Sequence, residues 1–103
     1  MAEQNDGRGK TRQTIYQISI VAQMVDTHPQ TLRTYEKLGL ISPQRAGNNV
    51  RIFNDDDVEL VRKIQHLTQD LGVNLAGVEV IFKLLREIES LNQKIEELEK
   101  KRK

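Results

Sequence analysis

A short stretch at residues 28–40 carries the side chains best suited to bind a chemical partner. The stretch contains a single acid, Glu36. Its hydrogen-bonding and cationic residues are Gln30, Thr31, Arg33, Thr34 and Lys37. Arginine and lysine bind phosphates, and glutamine, threonine and arginine can hydrogen-bond to base edges in a DNA groove. The stretch therefore predicts a surface that reads nucleic acid. An ordinary solvated helix face is an equal alternative from these residues alone.

The same stretch carries the signals that begin and end a short helix. Pro29 suits the first helical position, because its missing N–H needs no partner there, and His28 precedes it as the N-cap. Gly39 follows as the residue that closes the helix. The positions predicted to face the core recur at helical spacing: Leu32, Tyr35 and Leu38.

Another short helix is predicted just before this stretch. Four apolar residues there follow the helical template: Ile18, Val21, Ala22 and Val25. Ser19 is of a type that caps helices, and it is predicted to do so here. Only a few residues, around Asp26 and Thr27, separate the two helices. Two short helices joined by so tight a turn predict a helix-turn-helix.

A β-hairpin is predicted after the second helix. Pro43 and residues 46–49 have turn chemistry, and residues 43–45 can pair with a short strand beyond the turn. The residues of that strand are Val50, Ile52 and Phe53. A hairpin in this place predicts a wing beside the helix-turn-helix.

The tip of the hairpin has the chemistry of a phosphate-binding wing. Arg45 and Arg51 flank a flexible polar turn that includes Asn49. Two cations so placed can bind phosphates next to the groove that the helix occupies. An ordinary surface hairpin with solvated arginines is the alternative, and the position of the hairpin in the chain favours the wing.

Two further helices are predicted after the hairpin. Asn54 caps the first, and residues 55–57, all aspartate, place negative charge at the positive end of the helix dipole. Because capping explains the acidic triplet, no metal site is predicted. Gly72 ends that helix and Asn74 caps the next. The inward-facing residues of the later helix are Val78, Ile81, Phe82 and Leu85.

The last third of the chain has the pattern of a dimerisation helix. Apolar residues alternate at spacings of three and four over nearly three heptads: Ile81, Leu84, Ile88, Leu91, Ile95 and Leu98. The other positions are almost all polar, so this narrow seam is expected to pair with the same helix of a second subunit. The pattern allows parallel or antiparallel pairing. Residues from Glu99 onward are expected to fray.

Composition narrows the class of protein. The chain has 103 residues and a formal net charge of +1, which predicts one small domain whose nucleic-acid signal is local. Without cysteine, disulfides, thiolate metal sites and thiol redox chemistry are excluded. No cofactor is predicted, and no enzyme, because neither His28 nor His66 stands with a nucleophile. No secretory signal or membrane span is visible, so the cytoplasm is expected.

Two segments of the sequence resemble segments of a known protein family. Residues 31–40, TLRTYEKLGL, are similar to the recognition-helix segment of the MerR family of transcription regulators, and residues 49–58, NVRIFNDDDV, to its wing and following helix. With residues 16–19, the resemblance covers about residues 15–90. It implies a dimeric DNA-binding regulator in which Arg33, Tyr35 and Arg51 match the family pattern. Thr34 and Val50 depart from it, because the family has aromatic residues there.

Other segments resemble the heat-shock repressors within this family, above all residues 72–78, GVNLAGV, and also residues 42–45. That resemblance implies repression of chaperone genes from inverted-repeat operators, with the chaperone DnaK as co-repressor. Because the chain stops after the dimerisation helix, it is expected to lack the effector-binding domain of drug-sensing members.

These features together predict a mainly α-helical protein. Residues 1–14 form a disordered arm, residues 15–80 a winged helix-turn-helix DNA-binding domain, and residues 81–103 a coiled-coil dimerisation helix. The residues predicted to contact DNA are Ser19, Gln30, Thr31, Arg33, Thr34, Tyr35, Lys37, Arg45, Asn49 and Arg51. A helical adaptor that docks other proteins through the winged surface and the coiled coil is the alternative function.

Overall fold

The computed structural model describes residues 14–102. Its elements follow in chain order: α1 (Ile18–Met24), α2 (Pro29–Lys37), β1 (Gln44–Ala46), β2 (Val50–Ile52), α3 (Asp55–Gln65) and α4 (Leu75–Lys101). The mainly helical class with a two-stranded wing is confirmed. The chain divides into two compact units between Lys63 and Ile64. The predicted disordered arm, apart from Thr14, lies outside the described residues.

Near the start of the described residues, Tyr16 pairs with Phe53 in an isolated antiparallel bridge. The backbone N–H of each residue donates to the carbonyl of the other at 2.8 Å. α1 starts directly afterwards, with Gln17 at the N-cap and no side chain capping it. The prediction that Ser19 caps this helix is therefore wrong. Because the bridge fixes an extended chain at Tyr16, the helix begins at once and Ser19 lies inside its first turn.

Both helices of the helix-turn-helix end in the same hydrogen-bonded turn. After α1, Asp26 adopts a φ of 56°, and the Thr27 N–H donates at 2.8 Å to the carbonyl five residues earlier. After α2, Gly39 adopts a φ of 80°, and the Leu40 N–H makes the matching bond at 2.9 Å. Each turn satisfies carbonyls at the helix end and reverses the chain. The predicted helix ends are confirmed.

Gly39→Ala is expected to lower the free energy of unfolding by about 1–2 kcal/mol, because a residue with a Cβ is disfavoured in left-handed backbone. A Cβ built at Gly39 meets nothing within 4 Å, so the backbone alone causes this loss. Gly47→Ala is the matched control, since that site is equally open and its φ is not positive. Urea unfolding measures both variants, and equal losses would contradict the prediction.

The wing is an antiparallel pair of three-residue strands. The facing residues are Gln44 with Ile52, Arg45 with Arg51, and Ala46 with Val50. At the tip, Asn48 and Asn49 adopt φ values of 65° and 62°, which asparagine tolerates better than most residues. The predicted hairpin is confirmed, with two adjustments. Pro43, which has no N–H to donate, precedes β1, and Phe53 pairs with Tyr16 instead of continuing β2.

The core of the first unit joins both helices of the helix-turn-helix to the residues around the wing. Its apolar residues are at most 5% exposed: Val21, Ala22, Val25, Leu32, Tyr35, Leu40, Ile41, Phe53, Val58 and Val61. Leu38 was predicted to face inward, but it is 40% exposed. It lies at the C-cap of α2, where the helix has ended, and Leu40 occupies the core after the turn.

The start of α3 is held by a reciprocal pair of hydrogen bonds. The Asn54 Oδ1 accepts from the Asp57 N–H at 2.8 Å, and the Asp57 carboxylate accepts from the Asn54 N–H at 2.9 Å. Each residue thereby satisfies a donor that the helix leaves without a partner. The prediction that Asn54 caps this helix is confirmed.

In the second unit, a π-type turn at His66–Asp70 follows α3, and the chain leaves it through Gly72 with a φ of 72°. Asn74 then caps α4, because its Oδ1 accepts from the Gly77 N–H at 2.8 Å. The predicted cap at Asn74 is confirmed. Gly72 ends the helical backbone as predicted, but α3 itself ends at Gln65 and the π-type turn supplies the rest. The π-type turn was not predicted, since the apolar pattern continues through it.

α4 is one uninterrupted helix. The sequence predicted a short helix followed by a dimerisation helix, but the 27 residues of Leu75–Lys101 form a single rod about 40 Å long. It passes Glu99, where fraying was expected, and ends at Lys101. Val78 is buried as predicted, whereas Leu85 is 54% exposed and not inward.

Candidate nucleic-acid interface

The polar face of α2 has one half-buried edge and one exposed edge. Gln30, Arg33 and Lys37 are exposed, and Thr31 and Thr34 are half-buried. Arg33 keeps loose contact with its own helix, since its Nη1 lies 3.5 Å from the Gln30 Oε1. The predicted outward face is therefore present, with its longest and most polar side chains toward solvent.

Thr34 uses its hydroxyl inside the helix. The Oγ1 donates to the Gln30 carbonyl at 3.1 Å, one turn earlier. The Gln30 N–H in turn donates to Nδ1 of His28 at 2.9 Å, which confirms His28 as the N-cap. The resemblance implies an aromatic residue here, but the Thr34 side chain returns to the backbone, so only its oxygen lone pairs and methyl group are left for another molecule.

Tyr35 belongs to the core as well as to the predicted site. Its side chain is 5% exposed, and burial raises the pKa of its hydroxyl. This placement agrees with the helical spacing that predicted an inward-facing residue. The DNA contact predicted for Tyr35 stays a prediction.

The two wing arginines converge on one carboxylate of α2. The Arg51 Nε lies 2.6 Å from the Glu36 Oε1, and the Arg45 Nη2 lies 2.9 Å from the Glu36 Oε2. The Glu36 and Arg51 side chains are 22% and 25% exposed. Sequence reasoning noticed Glu36 only as the one acid on a cationic face. Its isolation among cations was the available signal for an ion-pair role.

This cluster favours an ionised Glu36. The hydrogen bond from Arg51 holds the pKa of the carboxyl below its usual value against the opposing effect of burial, and the charges of Arg51 and Arg45 lower it further. A lowered folded-state pKa adds stability above the pKa of the unfolded chain. That contribution is lost as the pH falls through the lowered value. At neutral pH the cluster is intact.

The remaining predicted contacts lie around the wing and α1. Asn49 is exposed at the tip, and its carbonyl accepts from the Arg45 Nη1 at 3.3 Å. Ser19 is exposed on α1. Within the first unit, Glu36 thus joins the wing arginines to α2, while in the described part of that unit Ser19 makes no side-chain hydrogen bond to any of them. All ten predicted DNA contacts stay predictions.

Near the wing, the Tyr16 hydroxyl donates to Asp55 Oδ1 at 2.8 Å. This bond is the main reason that the pKa of Tyr16 is raised, with Asp55's charge and burial acting in the same direction. It ties the entry of α1 to the start of α3. Sequence reasoning missed it, because the two residues are far apart in the chain.

The predicted dimerisation seam is open along α4. Leu84, Ile88, Leu91, Ile95 and Leu98 are each between 51% and 60% exposed, and Ile81 is half-buried. Contiguous apolar exposure of this kind is typical of a surface that another molecule covers. The pairing of this seam with a second copy of the chain stays a prediction.

Residues 14–102 contain no cluster of three or more residues that could hold a metal ion. His66 pairs with Asp70 at 2.8 Å on an exposed turn of the second unit. Among these residues, no helix combines the length and the apolar character needed to cross a membrane.

A family model described as MerR HTH family regulatory protein matches residues 16–100. The chain belongs to the MerR family. A Streptomyces coelicolor protein that bears the name heat shock protein HspR is 44% identical over 84 residues, which are 82% of this chain and 56% of that protein. The Escherichia coli regulator MlrA is 37% identical over 66% of this chain and 28% of its own length. The chain thus spans about half of one relative and less of the other.

Solved structures of MerR regulators share the fold. HiNmlR, a member that lacks the sensor domain and was crystallised with promoter DNA, matches with a TM-score of 0.63 at 24% identity, over 86% of this chain and 77% of that one. A MerR regulator from Bacillus cereus matches with a TM-score of 0.62 at 22% identity, over 86% and 72% of the two chains. The family resemblance is confirmed, and the relatives are transcription regulators and not enzymes, as predicted.

Proposed function

We propose that the chain is a dimeric, sequence-specific repressor that binds an inverted-repeat operator. The observation that carries the proposal is the arrangement of the first unit, in which the exposed polar face of α2 adjoins a wing with two arginines. Gln30, Thr31, Arg33 and Thr34 lie in the major groove, where they hydrogen-bond to base edges. Arg45, Arg51 and Lys37 bind phosphates, which fixes the register of the helix.

The dimer forms through the apolar seam of α4. An isolated subunit leaves the seam about half exposed, and pairing with a second copy removes that surface from water. A two-fold dimer binds two half-sites separated by about 10 bp or a multiple of it. Its operator is therefore a near-palindrome. Deformation of the DNA between half-sites adds a sequence-dependent term to the affinity.

The target genes proposed are those of heat-shock chaperones. This part rests on the 44% identity to the protein named HspR over most of the chain. The chaperone DnaK is proposed as co-repressor on the same resemblance, and the protein acts where the DNA is, in the cytoplasm. A regulator that responds to a free chaperone would couple repression directly to the supply of the chaperone.

Selection from a pool of promoter fragments tests the proposal. The purified chain should enrich an inverted repeat, and genomic footprinting should place that repeat at chaperone genes and show its release on heat shock. Adding DnaK should raise operator affinity. If the chain enriches no repeat, the DNA-binding proposal fails and the adaptor function takes its place. If it enriches a repeat outside chaperone genes, only the heat-shock assignment fails.

Arg51→Ala is expected to weaken binding to all DNA sequences, because Arg51 would contact the backbone and not the bases. The slope of log affinity against log salt should fall by about 0.9 for each phosphate contact removed. Fluorescence anisotropy at a series of salt concentrations measures this slope. Arg86→Ala is the matched control, since it removes the same charge from an exposed position on α4. An unchanged slope in Arg51→Ala would remove Arg51 from the backbone contacts.

A further inference from the structure

We propose that Glu36 is a positioning residue, which fixes the wing arginines against α2 so that operator DNA meets them already aligned. This inference rests on the proposed function and deepens it. Glu36 itself touches no DNA in this scheme. It acts through Arg45 and Arg51, whose phosphate contacts would set the register in which α2 meets the base edges, so its effect is on the choice of operator over other DNA.

The geometry makes Glu36 the bridge between α2 and both strands of the wing. Arg45 lies on β1 and Arg51 on β2, and each binds a different oxygen of the same carboxylate. A carboxylate that accepts from two guanidinium groups is fixed in both direction and distance. Among residues 14–102, the side-chain hydrogen bonds between α2 and the hairpin are the two that Glu36 makes.

The wing needs this bridge for two physical reasons. Arg45 and Arg51 face each other directly across the strand pair, and like charges in that position are destabilising. The hairpin has only three residues in each strand, and an isolated two-stranded hairpin is at best marginally stable in water. Glu36 neutralises the repulsion and ties the hairpin to a packed helix at the same time.

The arginines keep donors for a second partner. Arg51 donates from its Nε to Glu36, and within the described part of the chain its two terminal nitrogens make no hydrogen bond. A guanidinium has five N–H donors, so its outer edge can bind a phosphate while the inner edge stays on Glu36. Glu36 also places a negative charge near the DNA. It should therefore weaken binding to any duplex and strengthen the match to the operator.

Glu36→Gln separates these effects, because glutamine has nearly the same shape and no charge. Affinity for non-operator DNA should rise, since a repelling charge is gone. Operator affinity should not rise. The ratio of operator affinity to non-operator affinity should therefore fall about tenfold, which is the effect expected for losing a charged hydrogen bond. Hydrogen exchange of amides in residues 44–52 should also become several-fold faster without DNA. Glu59→Gln on α3 is the matched control, because Glu59 is exposed and takes part in none of the ion pairs of residues 14–102.

Combining variants tests whether Glu36 acts through the arginines. In a chain that already carries Arg45→Ala and Arg51→Ala, Glu36→Gln should leave the ratio of operator affinity to non-operator affinity unchanged. Equal rises in both affinities in the single variant, with wing exchange unchanged, would overturn the proposal and leave Glu36 as a repelling charge. A parallel loss of both affinities together with global stability would assign it a purely structural role.

The proposed function can fail independently. If the wild-type chain selects no operator, the DNA-binding proposal is wrong, and the exchange measurement still decides the role of Glu36. Faster exchange of the wing in Glu36→Gln then supports positioning. Unchanged exchange overturns it.

Discussion

Leu91→Asp should convert the proposed dimer into monomers and abolish tight operator binding. Leu91 is 57% exposed in the single chain and lies in the middle of the apolar seam. Pairing would bury two new carboxylates against each other and against apolar neighbours, which is strongly unfavourable without partners for the charges. Sedimentation equilibrium measures the mass, and titration with operator DNA measures the affinity.

Ser90→Asp provides the control for charge and helix position. Ser90 is the preceding residue of α4, is exposed, and lies outside the seam. The Ser90→Asp substitution introduces the same carboxylate outside the apolar seam, so the chain should stay dimeric. A dimeric Leu91→Asp variant would show that the seam is not the dimer interface. Dissociation of both variants would show a general intolerance of α4 to charge.

Phe53→Ala is expected to lower the free energy of unfolding of the first unit by about 3–5 kcal/mol. Phe53 is one of the largest fully buried side chains among the described residues. Removing the ring loses apolar burial and leaves a cavity, while the backbone bonds to Tyr16 do not depend on the side chain. A loss of this size is a large part of the stability of a small domain. Urea unfolding followed by circular dichroism measures it.

Val50→Ala is the comparison within the same hairpin. Val50 is 43% exposed at the start of β2, so shortening it removes little buried surface. Its effect should stay below about 1 kcal/mol, as for most surface substitutions. A loss in Phe53→Ala no larger than that in Val50→Ala would show that the ring does not anchor the core.

The parts of the fold that follow from local chemistry could be predicted from sequence. Asn54 and Asn74 cap helices because their side chains reach N–H groups three residues away, and Gly39 closes α2 because its conformation depends on its own backbone. The seam residues could be predicted for the same reason, since helical spacing alone puts them on one face of α4. The turn at Asp26 was located correctly, although its left-handed conformation was not foreseen.

The features that were missed depend on residues far apart in the chain. Ser19 fails to cap α1 because Tyr16 pairs with Phe53 and fixes where the helix begins. The ion pairs of Glu36 could not be predicted, because they require the register of the wing against α2. Leu38 was misplaced for a simpler reason, since the helical period was continued past the residue where the helix ends.

The exposure of the α4 seam has a consequence for how much of the protein is active in a cell. In the proposed dimer, apparent stability depends on the concentration of the chain, so the thermal midpoint should rise as the protein is concentrated. At low abundance the number of operator-competent dimers varies with the square of the protomer concentration. Synthesis and dilution by growth would then adjust repression more steeply than they change the amount of protein.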